Sequence, residues 1–314
     1  MVTSSGSVEC CGAQMNRRTG EVPPQAHARK EAPEWYLEIL ACPNCFTGLV
    51  CRGVSISCNA CGFSTHRGQP IDLRPTQLKR VSISLPRVFN AKAVLGEVAI
   101  GRPQMTFEGP KGIRDGSELL SIMQQTLSGP GRVLDVGCGG KDQARPIAYL
   151  GHQYVGLDLF SDQADICGDA HSLPFQDASF DCVFSYTVLQ HLHNPFLGIQ
   201  EVKRVLKPGG IYCGTVSQGE PFQSSFFHHT SWGILSVANA FELEVLRLWS
   251  CLDTLVGLAR IGSYPRVLRT CIRAIHWANR GFPFLSPRKM RWPAGAKALD
   301  ELNRAAAIGF VIRK

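Results

Sequence analysis

The sequence predicts a doubly wound α/β fold, a mostly parallel sheet with helices on both faces, preceded by a small cysteine-rich module. Three observations predict it. From Gly131 to Val216, short apolar runs alternate with helical stretches, the pattern of a parallel sheet covered on both sides. The first run, Arg132-Val-Leu-Asp-Val136, leads directly into Gly137-Cys-Gly139, a buried strand entering a glycine turn where backbone can approach a ligand closely. Upstream, Cys42-Pro-Asn-Cys45 and Cys58-Asn-Ala-Cys61 stand twelve residues apart, a spacing that closes a tetrahedral shell round one zinc ion.

At 314 residues, 44% hydrophobic and 18% charged, the chain can hold one full α/β domain and a smaller module. Residues 1–20 are polar without the apolar centre of a signal peptide, and no run approaches the ~18 apolar residues of a membrane span. A cytoplasmic protein with no transmembrane segment is expected. The thirteen cysteines are an odd number, and several lie in apolar strands, as reduced buried thiols do. The net charge of +8 is concentrated late in the chain. From Gly257 onward twelve Arg and Lys face only Asp300 and Glu301, so an anionic partner, RNA or an acidic lipid surface, is expected at 257–314.

Taken in order, residues 1–33 read as a disordered tail in which the adjacent Cys10 and Cys11 are incidental. Residues 34–75 form the metal module, with a hairpin over Leu49–Ser57 between the two cysteine pairs. A module this short folds on its metal more than on its core. Residues 76–115, punctuated by Pro86, Pro103 and Pro110, read as a linker with one short helix around Val88–Val98. The large domain covers 116–314. It opens with a helix from Ser117 to Leu127 that carries Leu119, Leu120, Met123 and Leu127 on one face. Strands follow at Arg132–Val136, Gln153–Asp158, Asp165–Cys167, Phe180–Ser185 and Ile211–Val216. Helices are expected around Ala144–Leu150 and Asn194–Leu206, the latter ending in Lys203 and Arg204 with Lys207 just beyond, where the helix dipole favours cations. Then come a helix over Ser231–Ala240, a strand over Phe241–Trp249, a basic helical insertion at 250–305 and a last strand at Ile308–Ile312.

The glycine turn alone is weak evidence, since position 142 is Asp and not the third glycine of a dinucleotide fingerprint. The acids at successive strand ends say more. Asp135 precedes the turn, where a carboxylate would repel a pyrophosphate and favour a cationic amine. Asp158 ends the second strand and is placed for two ribose hydroxyls. Asp169, with the Ala170 amide, follows the third strand and is placed for an adenine edge. The set suits a nucleoside joined to an amino acid.

These residues resemble the class I S-adenosylmethionine-dependent methyltransferases of the small-molecule branch. The resemblance rests on Val133-Leu-Asp-Val-Gly-Cys-Gly139, Gly156-Leu-Asp158, Gly168-Asp-Ala-His-Ser-Leu-Pro-Phe175 and Ala178-Ser-Phe-Asp-Cys-Val183. It continues through Val188-Leu-Gln-His-Leu192 and Arg204-Val-Leu-Lys-Pro-Gly-Gly210. It implies a Rossmann-like sheet of seven strands, with Ile308–Ile312 antiparallel beside the fifth, and S-adenosylmethionine as cofactor. Cofactor contacts are then expected at Asp135, Gly137, Cys138 and Gly139 on the first turn. Asp158 and Leu159, Asp169 and Ala170, and Ser185 at the end of the fourth strand complete them. Lys141 replaces a family glycine, and Gln190 stands where the family usually has Glu. The cysteine module resembles the zinc ribbon of methyltransferase activator subunits, which implies a structural zinc on Cys42, Cys45, Cys58 and Cys61.

A methyl sulfonium needs alignment and, for a hydroxyl acceptor, a base. His228 and His229, between Phe227 and Trp232, and His191 after the fourth strand are the candidates. The resemblance implies transfer to a small or carrier-linked metabolite, at oxygen. An RNA methyltransferase gripping its substrate with the ribbon and basic segment is the alternative, and a non-catalytic scaffold the third reading.

Overall fold

The computed structural model describes residues 35–78, 117–219, 225–261, 265–281 and 301–314. The expected tail, with Cys10 and Cys11, and most of the expected linker with its helix around Val88–Val98 lie outside the described residues. A small antiparallel sheet comes first among the described residues. A 3-10 turn at Trp35–Ile39 leads to β1 (Val50–Arg52), β2 (Ser55–Ser57) and β3 (Ser64–His66), a three-stranded sheet in sequence order. The expected hairpin pairs Val50 with Ser57 and Arg52 with Ser55, and Gly53 turns it at φ 59°, a left-handed conformation in which a Cβ would be strained.

The next strand, β4 (Ile71–Asp72), leaves that sheet and joins the large one. Beyond it come α1 (Ser117–Thr126), β5 (Arg132–Val136), α2 (Ala144–Tyr149), β6 (Gln153–Asp158), β7 (Ile166–Cys167) and β8 (Phe180–Tyr186). Then follow α3 (Pro195–Val205), β9 (Leu206–Ser217), α4 (Ser231–Ala240), β10 (Glu244–Asp253), α5 (Thr254–Ile261), α6 (Arg266–Gly281) and β11 (Ala305–Arg313). The large sheet runs β10-β11-β9-β8-β5-β6-β7-β4. Its central strands are parallel, and β11 inserts antiparallel between β9 and β10. This is a Rossmann-like sheet, with one strand more than the expected seven.

The extra strand has a simple cause. β7 is only two residues long and would otherwise be an open edge. The Ile71 N–H donates to Asp165 O at 3.1 Å and the Leu73 N–H to Cys167 O at 2.7 Å, while Ile71 and Leu73 are buried as they do so. The cysteine module is therefore stitched into the large sheet by its own last strand.

Alternation along the strands sorts the two faces. On one, Val133, Cys182, Phe184, Ile211, Cys213 and Val311 pack under Leu119, Leu120 and Met123 of α1. Trp249 lies flat on this face because Gly309 has no side chain: a Cβ there would sit 2.1 Å from the indole ring. Helix α3 starts at Asn194, whose side chain accepts the Leu197 N–H at 3.1 Å, with Pro195 as its first residue, a favourable N-terminus. The strand expected over Phe241–Trp249 begins three residues later and runs on to Asp253, because its pairing with β11 continues to Ala305.

Candidate functional site

The loops that matter lie at the C-terminal ends of β5, β6, β7 and β8, where open α/β sheets bind ligands. At the first, Gly137 (φ 71°) and Gly139 (φ 51°) both adopt left-handed backbone. Their roles differ. A Cβ on Gly137 would strike Val188 at 2.4 Å, so this glycine lets the turn pack on the loop after β8. A Cβ on Gly139 would meet nothing within 4 Å, so this glycine faces open space.

Asp158 ties that turn to the end of β6. One carboxylate oxygen accepts the Gly139 N–H at 3.0 Å, and the other accepts the Phe160 and Ser161 N–H groups at 2.9 and 3.0 Å. The Ser161 hydroxyl donates back to Gly139 O at 2.6 Å. The oxygen bound to Gly139 has one donor and keeps a site for a further one, while the other already accepts two. Leu159 beside it is half-buried, and Phe160, which the sequence reading did not single out, is 83% exposed.

Asp135 does not stand at the strand end but inside β5, 2% exposed. The Tyr154 hydroxyl, a partner the sequence reading missed, donates to it at 2.9 Å. Burial above all, with the charges of Asp158, Asp142 and Asp165, holds its carboxyl up at about 7 against the Tyr154 hydrogen bond, which lowers it. Cys138 is buried beside it, and burial raises its thiol above the ordinary range.

Lys141, the substitute for a glycine, takes the glycine's backbone conformation at φ 60°. Its ammonium pairs with Asp165 at 2.5 Å, and the other oxygen of Asp165 accepts the Gly156 N–H at 2.8 Å. A glycine would accept the turn geometry more easily but would leave Asp165 without this cation among Asp135, Asp142 and Asp158. The side chain therefore serves as a counter-charge.

The third acid sits in a clamped loop. One Asp169 oxygen accepts both the backbone N–H and the ring Nδ1–H of His171, at 2.8 and 2.6 Å. His171 Nε2 then accepts the Asn194 N–H at 3.2 Å, so the ring proton sits on Nδ1. Burial alone would raise the Asp169 carboxyl, but the His171 donors and the nearby His193 outweigh it and leave it below its usual range. His193 stacks on His171 with centroids 4.0 Å apart, and Phe226 packs edge-on against His193 at 6.2 Å. Asp-x-His spacing was the available sign of this chain of contacts. Ala170 is half-buried within the loop.

The far side of the same loop is held by the cysteine module. Ser172 Oγ donates to Pro43 O at 2.5 Å, Ala41 N to Pro174 O at 3.0 Å, and Gln176 N to Ile39 O at 2.8 Å. Arg204 joins both parts. It donates to the carbonyls of Leu173 and Phe175, each at 2.7 Å, and to Glu201 and Asp177, while its guanidinium lies 4.3 Å from the Phe46 ring centroid. It stands in the last turn of α3, as the sequence suggested, and its contacts reach well beyond the helix end. Lys203 and Lys207 are likewise engaged, with Phe241 O and Asp181.

Ser185 is not brought to this cleft. Its side chain points to the face opposite Cys182 and Phe184, is fully buried, and shares a 2.8 Å hydrogen bond with the Tyr212 hydroxyl. The three histidines gather on one side of the opening. His191 ends a 3-10 turn at Leu189–His191 and is exposed, as is His228. His229 is 6% exposed, with Nε2 at 3.4 Å from Leu189 O and Nδ1 turned to Gly233 at the start of α4. Burial lowers its pKa. Thr230, not a histidine, caps α4 by accepting the Gly233 N–H. Gln190 is fully buried, and its carbonyl accepts the N–H groups of Phe226 and Phe227 at 2.9 and 3.2 Å. The two histidine-bearing segments are therefore bound together.

The sulfurs of Cys42, Cys45, Cys58 and Cys61 lie within 4.8 Å of one another. Cys42–Cys61 and Cys45–Cys58 are each 3.4 Å apart, well beyond a disulfide and near the ~3.8 Å that a tetrahedron of 2.3 Å zinc–sulfur bonds requires. Each pair is bent by a backbone knuckle, Phe46 N to Cys42 O at 2.8 Å and Gly62 N to Cys58 O at 3.1 Å. The donor set fits a metal ion with no ligand position left open.

Comparison with known proteins agrees with the sheet and its loops. Residues 134–214 match the methyltransferase domain family. The chain is 39% identical over 100 residues to the fatty-acid O-methyltransferase of Mycolicibacterium smegmatis, covering 27% of this chain and 36% of that one. It is 31% identical over 136 residues to the biotin biosynthesis bifunctional protein BioHC of Cellvibrio japonicus, covering 38% and 27%. With the malonyl-[acyl-carrier protein] O-methyltransferase of Erwinia pyrifoliae it shares 37% over 100 residues, 28% of this chain and 38% of that one. The chain thus spans less than half the length of these relatives. The match to the methyltransferase domain family is confined to residues 134–214, and the cysteine module lies outside it.

The raised pKa of Asp135 has a testable sign. An unfolded aspartate titrates near ~3.9, so folding raises this group and its ionisation costs the native state. The unliganded protein should lose stability from this residue as pH rises from about 4 to about 7. Asp135→Asn removes that loss, so its melting temperature should exceed that of the wild type at pH 8 and converge with it near pH 4. Parallel profiles would show that Asp135 is not the group responsible.

A second expectation concerns the metal. Chelator treatment should release one zinc per chain and speed amide exchange both in 39–48 and across the loop 169–176 that the module clamps. Protection unchanged in 169–176 after metal loss would show that the clamp does not depend on the metal.

Proposed function

We propose that this chain is an S-adenosylmethionine-dependent methyltransferase acting at an oxygen of a small or carrier-linked metabolite, with a structural zinc in its N-terminal module. The observation that carries the reading is the succession of Asp135 inside β5, Asp158 at the end of β6 and Asp169 after β7, beside a glycine that faces open space. That arrangement suits a nucleoside bearing an ammonium and poorly suits a pyrophosphate. The matched domain and the O-methyltransferase relatives support the same cofactor and a lipid-like or carrier-linked acceptor.

In this reading Asp158 orients the ribose hydroxyls, with its backbone donors already holding both oxygens in place. Asp169 and the Ala170 amide receive the adenine edge, and the His171–Asn194 contact fixes the angle of that carboxylate. Asp135 meets the ammonium, which would draw its carboxyl back to the ionised form. The bound cofactor supplies an activated methyl on sulfur, so the chain need only align the acceptor and exclude water. For a hydroxyl acceptor one proton must also leave. His191 and His228 on the rim take that task, while His229 positions the two segments that carry them. The zinc, held by Cys42, Cys45, Cys58 and Cys61, keeps the adenine-side loop clamped and takes no part in the transfer.

Titration calorimetry tests the cofactor. The wild type should bind S-adenosylmethionine, and Asp158→Asn should weaken it by about tenfold or more, the worth of a hydrogen bond to a charged group. Absence of binding, or binding indifferent to the substitution, would remove the methyl-donor reading. For the base, the paired variant His191→Ala/His228→Ala should lower kcat by about a hundredfold with little change in KM. His229→Asn should instead lower thermal stability. Turnover untouched in the pair would rule out both rim histidines.

A further inference from the structure

A phenol is built into the main sheet beside the glycine turn. Tyr154, half-buried on β6, donates its hydroxyl across the ladder to Asp135 of β5 at 2.9 Å. Gly156 shares its face of the strand and stands directly opposite Asp135 in the β5–β6 register. A Cβ on Gly156 would fall 2.7 Å from the Tyr154 hydroxyl and 2.8 Å from the Cys138 sulfur. The absent side chain is therefore the slot in which phenol and thiol sit.

The surroundings of Asp135 otherwise oppose its charge. Asp142 on the turn, Asp158 at the end of β6 and Asp165 before β7 all act against its ionisation. The thiols of Cys138 on the turn and Cys182 on β8 lie within reach of its charge. The nearby cation, Lys141, is paired with Asp165 and lies 5.7 Å from the centroid of the Tyr154 ring. Burial above all, with the three acids, holds the Asp135 carboxyl at about 7, and the phenol is the group that draws it down. Tyr154 thus favours the charged form that its neighbours disfavour.

We infer that Tyr154 is a positioning residue for the cofactor: it holds the Asp135 carboxylate in the orientation that receives the ammonium, and through Asp135 it sets the pH at which cofactor affinity falls. The inference rests on the methyl-donor reading above. The phenol donates to Oδ2 of Asp135, which leaves Oδ1 for a cationic donor. An ammonium is held by the carboxylate and not by the neutral acid, so cofactor uptake by protonated Asp135 releases its proton. Affinity is then level above the titration of Asp135 and falls as pH drops below it. Phenylalanine at position 154 withdraws the hydrogen bond that favours the carboxylate. The carboxyl moves up, and the fall in affinity moves to higher pH with it.

Titration calorimetry of the full chain with S-adenosylmethionine, from about pH 5.5 to about pH 8.5 across the titration of this carboxyl, tests the inference. Tyr154→Phe is expected to weaken binding about tenfold near neutral pH, the worth of a hydrogen bond to a charged group, and to carry the fall to higher pH. Asp135→Asn should abolish the fall. Tyr154→Phe added to it should cost much less than in the wild type, because the two substitutions delete one interaction. Y154F binding equal to the wild type at every pH overturns the inference. So does a loss that is the same at every pH or undiminished in D135N, which would mark the phenol as packing alone. If Y154F does not fold, Gly156→Ala, which fills the slot and keeps the phenol, carries the same expectation. A wild type that binds no S-adenosylmethionine at any pH would remove the methyl-donor reading, and this inference with it.

Discussion

All five N–H donors of Arg204 are engaged: one to each of two loop carbonyls, two to Glu201 and one to Asp177. This is the interaction on which the rest depends. Glu201 is 4% exposed, and its second oxygen also receives the Leu173 N–H at 2.9 Å. Two buried charges persist only when hydrogen bonds satisfy the remaining donors and acceptors, and here the partners are the main chain of the loop that follows Asp169. The pair therefore stabilises a backbone path and not a helix surface. With Phe46 of the cysteine module beside the guanidinium, one cation links the module, helix α3 and the loop after Asp169.

That linkage recasts the N-terminal module. A four-cysteine knuckle looks like a detachable unit, yet its last strand lengthens the main sheet and its first knuckle accepts the Ser172 hydroxyl. Both connections end on the third-strand region, the shortest and least self-sufficient part of the sheet. A two-residue strand cannot hold a loop in place by itself. The module supplies the missing edge and the missing hydrogen bonds.

The acids at the cleft show a second balance. Asp142, Asp158 and Asp165 lie close enough for their charges to raise the carboxyl of Asp135. Lys141 offsets this at the cost of a left-handed backbone. Asp158 is held by three backbone N–H groups and Asp135 by one phenol. The result is a cluster of acids whose geometry is set by the main chain and one phenol.

Much of this was legible in the chain itself. Strand-helix alternation determined the sheet, because a parallel strand buried on both faces must read as an apolar run. The cysteine spacing determined the knuckle, and the acids at strand ends determined the cleft's charge. Both are local, with neighbours in sequence becoming neighbours in space. Ser185 was misread because alternation, not proximity to a loop, decides which face a strand residue meets. His229 and Arg204 were read by residue type, and their packing gave them other roles. The eighth strand, the Ser172–Pro43 contact, the Tyr154–Asp135 hydrogen bond and the purpose of Lys141 join residues between 19 and 129 positions apart. Such pairings leave no periodic trace, since nothing in either segment alone states which partner will satisfy its hydrogen bonds. The sequence by itself determined the fold and the chemistry of the glycine turn. Only the tertiary structure decided which side chains face that turn and which are spent in holding it.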